Sequence, residues 1–167
     1  MRGRSGLIVS FSVLAAVLIQ TTLFGRVRIV TPDLVMLVVI VLALTRIKVE
    51  VILGVGFTAG LIVDLLGSSL LGLRAIVFTT VAFIAVRTKE RAELGRITVA
   101  VWAGFLTLIG MVLLILIGTL FGQSSLLGQN AVSRMILVPL ANTLIAALFA
   151  PMFVRLVDGD RTALRYP

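Results

Sequence analysis

The chain alternates long apolar blocks with short polar punctuation. The blocks run Leu7 to Phe24, Pro32 to Ile47, Val49 to Leu66, Leu71 to Val86, Ile97 to Phe121 and Met135 to Val154. Several are shorter than the roughly 20 residues that cross a typical hydrocarbon core. Snorkelling Arg or Lys side chains at the ends, or local thinning of the bilayer, must make up the difference. The pattern predicts an all-α, polytopic membrane protein of six transmembrane helices, with residues 1–167 as a single integral membrane domain. The second block is the ambiguous one, because Leu34 to Leu44 alone also suits a re-entrant or interfacial segment. Its start is well specified: Thr31 is placed to cap, Pro32 fits the first helical position, and Asp33 faces the positive end of the helix dipole. It is therefore counted as a span.

Composition supports the membrane reading. Sixty per cent of the residues are apolar and 13% charged, with a mean hydropathy of +1.22, so a water-soluble domain of this length would lack polar surface. Leu7 to Phe24 runs into Gly25-Arg26-Val27-Arg28 and further apolar blocks rather than into a small-residue cleavage site, and reads as a first span, not a removable signal. The net charge of +8 is spread over short loops without a basic stripe. It points to membrane topology and anionic lipid headgroups, not to nucleic acid.

With the N-terminus in the cytoplasm, eleven basic residues fall inside (Arg2, Arg4, Arg46, Lys48, Arg87, Lys89, Arg91, Arg96, Arg155, Arg161 and Arg165). Four fall outside, namely Arg26, Arg28, Arg74 and Arg134. This positive-inside bias predicts a multi-pass protein of the cell membrane with both termini cytoplasmic. The charged loop from Arg87 to Arg96 reads as a headgroup anchor or a contact for a cytoplasmic partner.

The chain has no cysteine and no histidine, which removes thiolate chemistry and the commonest transition-metal ligands. No helix carries paired carboxylates, the serines have no base, and no phosphate-cradling glycine loop occurs. Neither an active site nor a metal or other cofactor is expected.

Polar residues inside the apolar blocks are the informative ones. Gly56, Gly60 and Asp64 recur every four residues, so one helix carries them as a single stripe. The glycines allow another backbone to approach, and the carboxylate belongs to that seam rather than to lipid. Burying it alone costs several kcal/mol, by the general penalty for unpaired buried charge, roughly. It is expected to bond the following turn or to pair with Arg74 or Arg134, and a partner or substrate contact or a proton relay stays open. In the last block Pro139 is expected to kink or open the helix, and Asn142 lies deep enough to need an interhelical partner or to face a ligand. Ser133 is available as a cap for that helix, Gly104, Gly110 and Gly118 suit packing faces, and Trp102 suits an interface anchor.

The order of Thr31-Pro32-Asp33-Leu34, the G-x-x-x-G-L-x-x-D-L-L-G-x-x-x-x-G run from Gly56 through Gly67 to Gly72, and a last helix with Asn142, Pro151 and Arg155-Leu156 together resemble the bacterial rod-shape-determining family MreD. The resemblance covers nearly the whole chain. It implies a non-enzymatic subunit of the lateral cell-wall elongation complex, associated with the bitopic MreC and, through it, with MreB, RodA and a class B penicillin-binding protein. It also implies a compact six-helix fold similar to the membrane subunits of energy-coupling-factor vitamin transporters. The resemblance makes Asp33, Gly56, Gly60, Asp64, Gly67, Gly72 and Asn142 fold and interface positions, and the residue reading adds Pro32, Arg74 and Arg134 as structural or interface candidates. The alternative is a small-solute transport subunit with Asp64, Asn142 or Arg134 turned into a cavity. The sequence leaves self-association open.

Overall fold

A computed structural model describes residues 2–22, 32–67, 70–89, 95–123 and 131–158. Among them every regular element is helical: α1 (Arg2–Thr22), α2 (Leu34–Leu42), α3 (Val49–Leu66), α4 (Leu73–Thr88), α5 (Arg96–Leu120) and α6 (Ala131–Asp158). The all-α class expected from the pattern is present, and α3, α5 and α6 are each long and apolar enough to cross a membrane.

The second block departs most from expectation, because α2 takes up only nine residues of it. At about 1.5 Å per residue it covers less than half of a hydrocarbon core roughly 30 Å thick. Its end is set by local hydrogen bonding. The N–H groups of Ala43, Leu44 and Thr45 turn back to carbonyls three residues earlier, and the Thr45 hydroxyl donates to the Leu42 carbonyl at 2.6 Å. The last turn tightens and the chain leaves the helix before Arg46 and Lys48.

Val35, Met36, Leu37, Val39, Ile40, Val41 and Leu42 are all buried, and a helix that is apolar all round belongs at the centre of a bundle. α2 touches each of the other five helices. Their outward faces carry exposed Leu, Ile, Val and Phe side chains such as Leu14, Phe57, Phe105 and Leu144, the surface of a protein solvated by lipid tails.

Small residues let the outer helices close on one another. A methyl group at Gly60 would stand 2.5 Å from the Arg74 carbonyl oxygen and 2.6 Å from Ala75 N and Cα, and one at Gly56 would stand 3.1 Å from the Phe78 carbonyl oxygen. The α3 stripe therefore packs directly on the α4 backbone, the close approach that drives association where lipid supplies no hydrophobic force. Between α5 and α6, Gly104 faces the Thr143 side chain, and Gly110 admits the Met36 thioether of α2.

α6 runs unbroken through Pro139 and Pro151, so the opening expected at Pro139 does not interrupt the helix. It also starts before Ser133, which lies inside the first turn and is not its cap. Trp102 is buried within the bundle, and its indole N–H donates to the Thr88 hydroxyl at 3.0 Å.

Graded substitutions on one helix check the seam. Gly60→Ala is expected to lower stability by about 1–3 kcal/mol, because a backbone neighbour cannot step aside as a side chain does. Gly56→Ala is expected to cost less. Gly54→Ala, with nothing within 4 Å, should be neutral or stabilising by up to about 1 kcal/mol through helix propensity. Thermal melting in detergent ranks the three, and equal melting would rule out the packed stripe.

Candidate functional site

The buried polar groups converge on the start of α2. Asp33 is its N-cap, with φ −91° and ψ 84°, and its Oδ1 accepts from Met36 N at 3.1 Å. Pro32 therefore precedes the cap and does not occupy the first helical position; Thr31, expected to cap, lies outside the described residues. The Val35 N–H donates to Gln20 Oε1 of α1 at 3.1 Å. Two of the N–H groups that a helix start leaves unpaired are thus satisfied from two directions.

Asp64 performs the same service for a different helix. α4 opens on Gly72, which has φ +90° and no capping side chain, a left-handed conformation that favours glycine. The Arg74 N–H, in the first turn of α4, donates instead to Asp64 Oδ2 at 2.9 Å. A carboxylate ten residues upstream thus caps the helix across the turn. Gly67 closes α3 with extended backbone, its N–H returning to the carbonyls of Val63 and Asp64.

The two carboxylates share one guanidinium. Arg74 Nη1 lies 3.5 Å from Asp33 Oδ2 and Arg74 Nε lies 3.9 Å from Asp64 Oδ1. The Asp64 side chain is fully buried, Asp33 nearly so, and Arg74 is 26% exposed. Arg134, the other cation expected near Asp64, sits exposed near the start of α6, and the ion pairs that join the two aspartates at 3.5 and 3.9 Å are with Arg74. A charge sharing a face of the bilayer need not share a face of the bundle.

Asn142 closes the arrangement from α6. It is fully buried, and its Nδ2 donates to the Asp33 carbonyl at 3.1 Å and to Thr107 Oγ1 of α5 at 3.2 Å. A carbonyl only accepts, so the amide nitrogen has to face Asp33. Asn142 Oδ1 is left buried without a partner. Gln20 of α1, Arg74 of α4 and Asn142 of α6 thus reach the start of α2 or its cap directly, and Asp64 of α3 and Thr107 of α5 hold Arg74 and Asn142 from behind.

Sequence reading missed Gln20 and Thr107. Gln20 carried a usable signal, a lone amide in an apolar block. Thr107 carried none, since its hydroxyl also bonds the carbonyl four residues back, as Thr58, Thr79 and Thr80 do on their own helices.

Apart from this centre, a cleft of about 410 Å³ opens between α1, α2 and α6, lined by apolar residues including Phe11, Ala15, Val38, Phe149 and Phe153. Among the described residues no group of acidic side chains is placed to hold a metal ion.

A family model described as rod shape-determining protein MreD matches residues 3–158. Comparison with curated proteins and with solved structures finds no match.

Two substitutions probe the centre. Arg74→Met leaves two buried carboxylates facing each other, and is expected to cost about 3 kcal/mol, near the lower end for breaking a buried pair because Arg74 is partly exposed. Adding Asp33→Asn to that variant should restore part of the loss in chemical or thermal unfolding; no recovery would mean that the charges do not couple. Asn142→Asp keeps the shape but turns an acceptor toward the Asp33 carbonyl. It is expected to cost about 1–3 kcal/mol and more than Asn142→Leu, which introduces no opposing acceptor; the reverse order in melting temperature would refute the donor role.

Proposed function

The chain belongs to the MreD family of rod shape-determining membrane proteins, and from that membership we propose that it is a non-enzymatic scaffold subunit of the cell-wall elongation complex. In this reading it holds the bitopic MreC directly and, through it, meets MreB, RodA and a class B penicillin-binding protein. It is a multi-pass protein of the bacterial cytoplasmic membrane with both termini in the cytoplasm. Arg46, Lys48, Arg87, Lys89, Arg96 and Arg155 lie at the helix ends that would face inward, and Arg74 and Arg134 at the opposite ends, the distribution that the positive-inside rule favours. α2 then forms the inner part of the second crossing.

The observation that carries the scaffold reading is where the polar groups are used. Asp33, Asp64, Arg74 and Asn142 bond one another and helix backbones, while the cleft is lined with hydrocarbon. A subunit that captures a water-soluble solute needs polar groups presented to its cavity. Here those groups hold the helices in one arrangement, as suits a protein whose product is a rigid surface for partners in the membrane.

The reading is tested in the native host and in liposomes. Depletion is expected to compromise rod shape or lateral wall growth, and the intact protein should capture MreC. Asp64→Asn keeps an oxygen able to accept from Arg74 N and should retain most folded yield and capture. Asp64→Leu, which cannot, should lose more of both. Partner-independent solute uptake in proteoliposomes, abolished by Asp64→Asn while folding is kept, would replace the scaffold with a transporter.

A further inference from the structure

The cleft between α1, α2 and α6 has a direction. Gln20, near the end of α1, and Asn142, in the first half of α6, both grip the start of α2, so the N-terminus of α1 and the C-terminus of α6 point the same way. The cleft wall on α6 extends from Ile145 beside that polar centre to Leu156. At about 1.5 Å per residue this is some 16 Å, close to half of a roughly 30 Å hydrocarbon core. It is the depth of one leaflet.

Its chemistry is as one-sided as its length. Ser12, the polar residue in the wall, already donates its hydroxyl to the Ile8 carbonyl at 2.7 Å, so the lining offers an occupant van der Waals contact alone. At the far end Leu156 is preceded by Arg155, which is exposed in the last turn of α6, and the first turn of α1 lies at the same end of the molecule. Lys48, Arg87 and Arg96 likewise mark the ends of α3, α4 and α5 away from the polar centre.

We propose that this cleft is a binding site for an anionic phospholipid of the inner leaflet, with one acyl chain lying against Phe11, Ala15, Val38 and Phe153 and the phosphate held at the basic end beside Arg155. A membrane-crossing partner helix would need the full thickness of the bilayer, and the cleft serves half of it. A chain with a negative head fits both the length and the charge. The site is independent of which protein partners the scaffold holds.

Native mass spectrometry of the whole protein, released from nanodiscs of equal phosphatidylglycerol and phosphatidylcholine, tests this directly. One phosphatidylglycerol is expected to stay bound in preference to phosphatidylcholine. Arg155→Gln should lower that preference about fivefold, the usual weight of one basic residue at an anionic surface. Ala15→Phe, which fills the cleft, should lose the retained lipid, whereas Leu148→Phe on the exposed face of α6 should not. Retention of both lipids alike, or an unchanged Ala15→Phe variant, would overturn the site.

A second measurement avoids filling the core. Tryptophan introduced as Phe11→Trp should be quenched at a lower mole fraction of brominated phosphatidylglycerol than of brominated phosphatidylcholine, while the native Trp102, buried against Thr88, gives a constant background. Equal quenching by the two lipids, or crosslinking from position 153 to another polypeptide with no lipid retained, would assign the cleft to a different occupant.

Discussion

The rest of the bundle depends on how a helix can begin in the buried centre of an apolar protein. A helix start exposes N–H groups that water would satisfy at a surface and that lipid cannot. α2 starts against Thr107 and Asn142, which are near the middle of α5 and α6, so its first turn has to be paired by protein. Gln20 and the Asp33 side chain supply two acceptors, and Asn142 fixes the Asp33 carbonyl. Once that turn is held, α2 can be apolar on every side and act as the axis around which five helices pack.

The same requirement explains the charge balance. Two carboxylates and one guanidinium leave a formal excess of one negative charge in a mostly buried site. Each carboxylate, however, sits at a helix start: Asp33 on α2 and Asp64 on α4. A helix N-terminus carries roughly half a positive charge from its aligned peptide dipoles, so two of them offset about one unit. The centre is balanced by backbone as much as by Arg74, which is why a guanidinium at distances of 3.5 and 3.9 Å suffices.

These features differ in how far the sequence exposes them. The Gly56, Gly60 and Asp64 stripe is legible because a period of four places the three on one helix face whatever surrounds that helix. That Asp64 reaches Arg74 was within the expectation for the following turn, although its bond to the backbone N–H depends on the conformation of Gly72. The length of α2 was not legible, since apolar residues continue to Leu44 and the helix is ended by Thr45 turning back on Leu42. Arg134 shows the opposite limit: loop charge assigns an end of the molecule, but rotation of α6 decides which face the residue takes. Thr107 became a partner of Asn142 only through packing, and its sequence context matches that of several threonines with no such role.

α6 shows how a membrane helix carries proline without breaking. Pro151 has no N–H, so the Ala147 carbonyl loses its normal partner four residues on. Arg96, at the first position of α5, donates its Nε–H to that carbonyl at 2.7 Å. The proline thus creates an acceptor on one helix that a charged donor on its neighbour fills, and the basic start of α5 is pinned to α6 five residues beyond Asn142, which Thr107 holds near the middle of α5. Two fastenings on one helix pair fix rotation as well as distance. The wall that α6 presents to the cleft, from Ile145 to Leu156, continues the helix face that carries Asn142, so the bond from Asn142 to the start of α2 fixes which side of α6 the cleft meets.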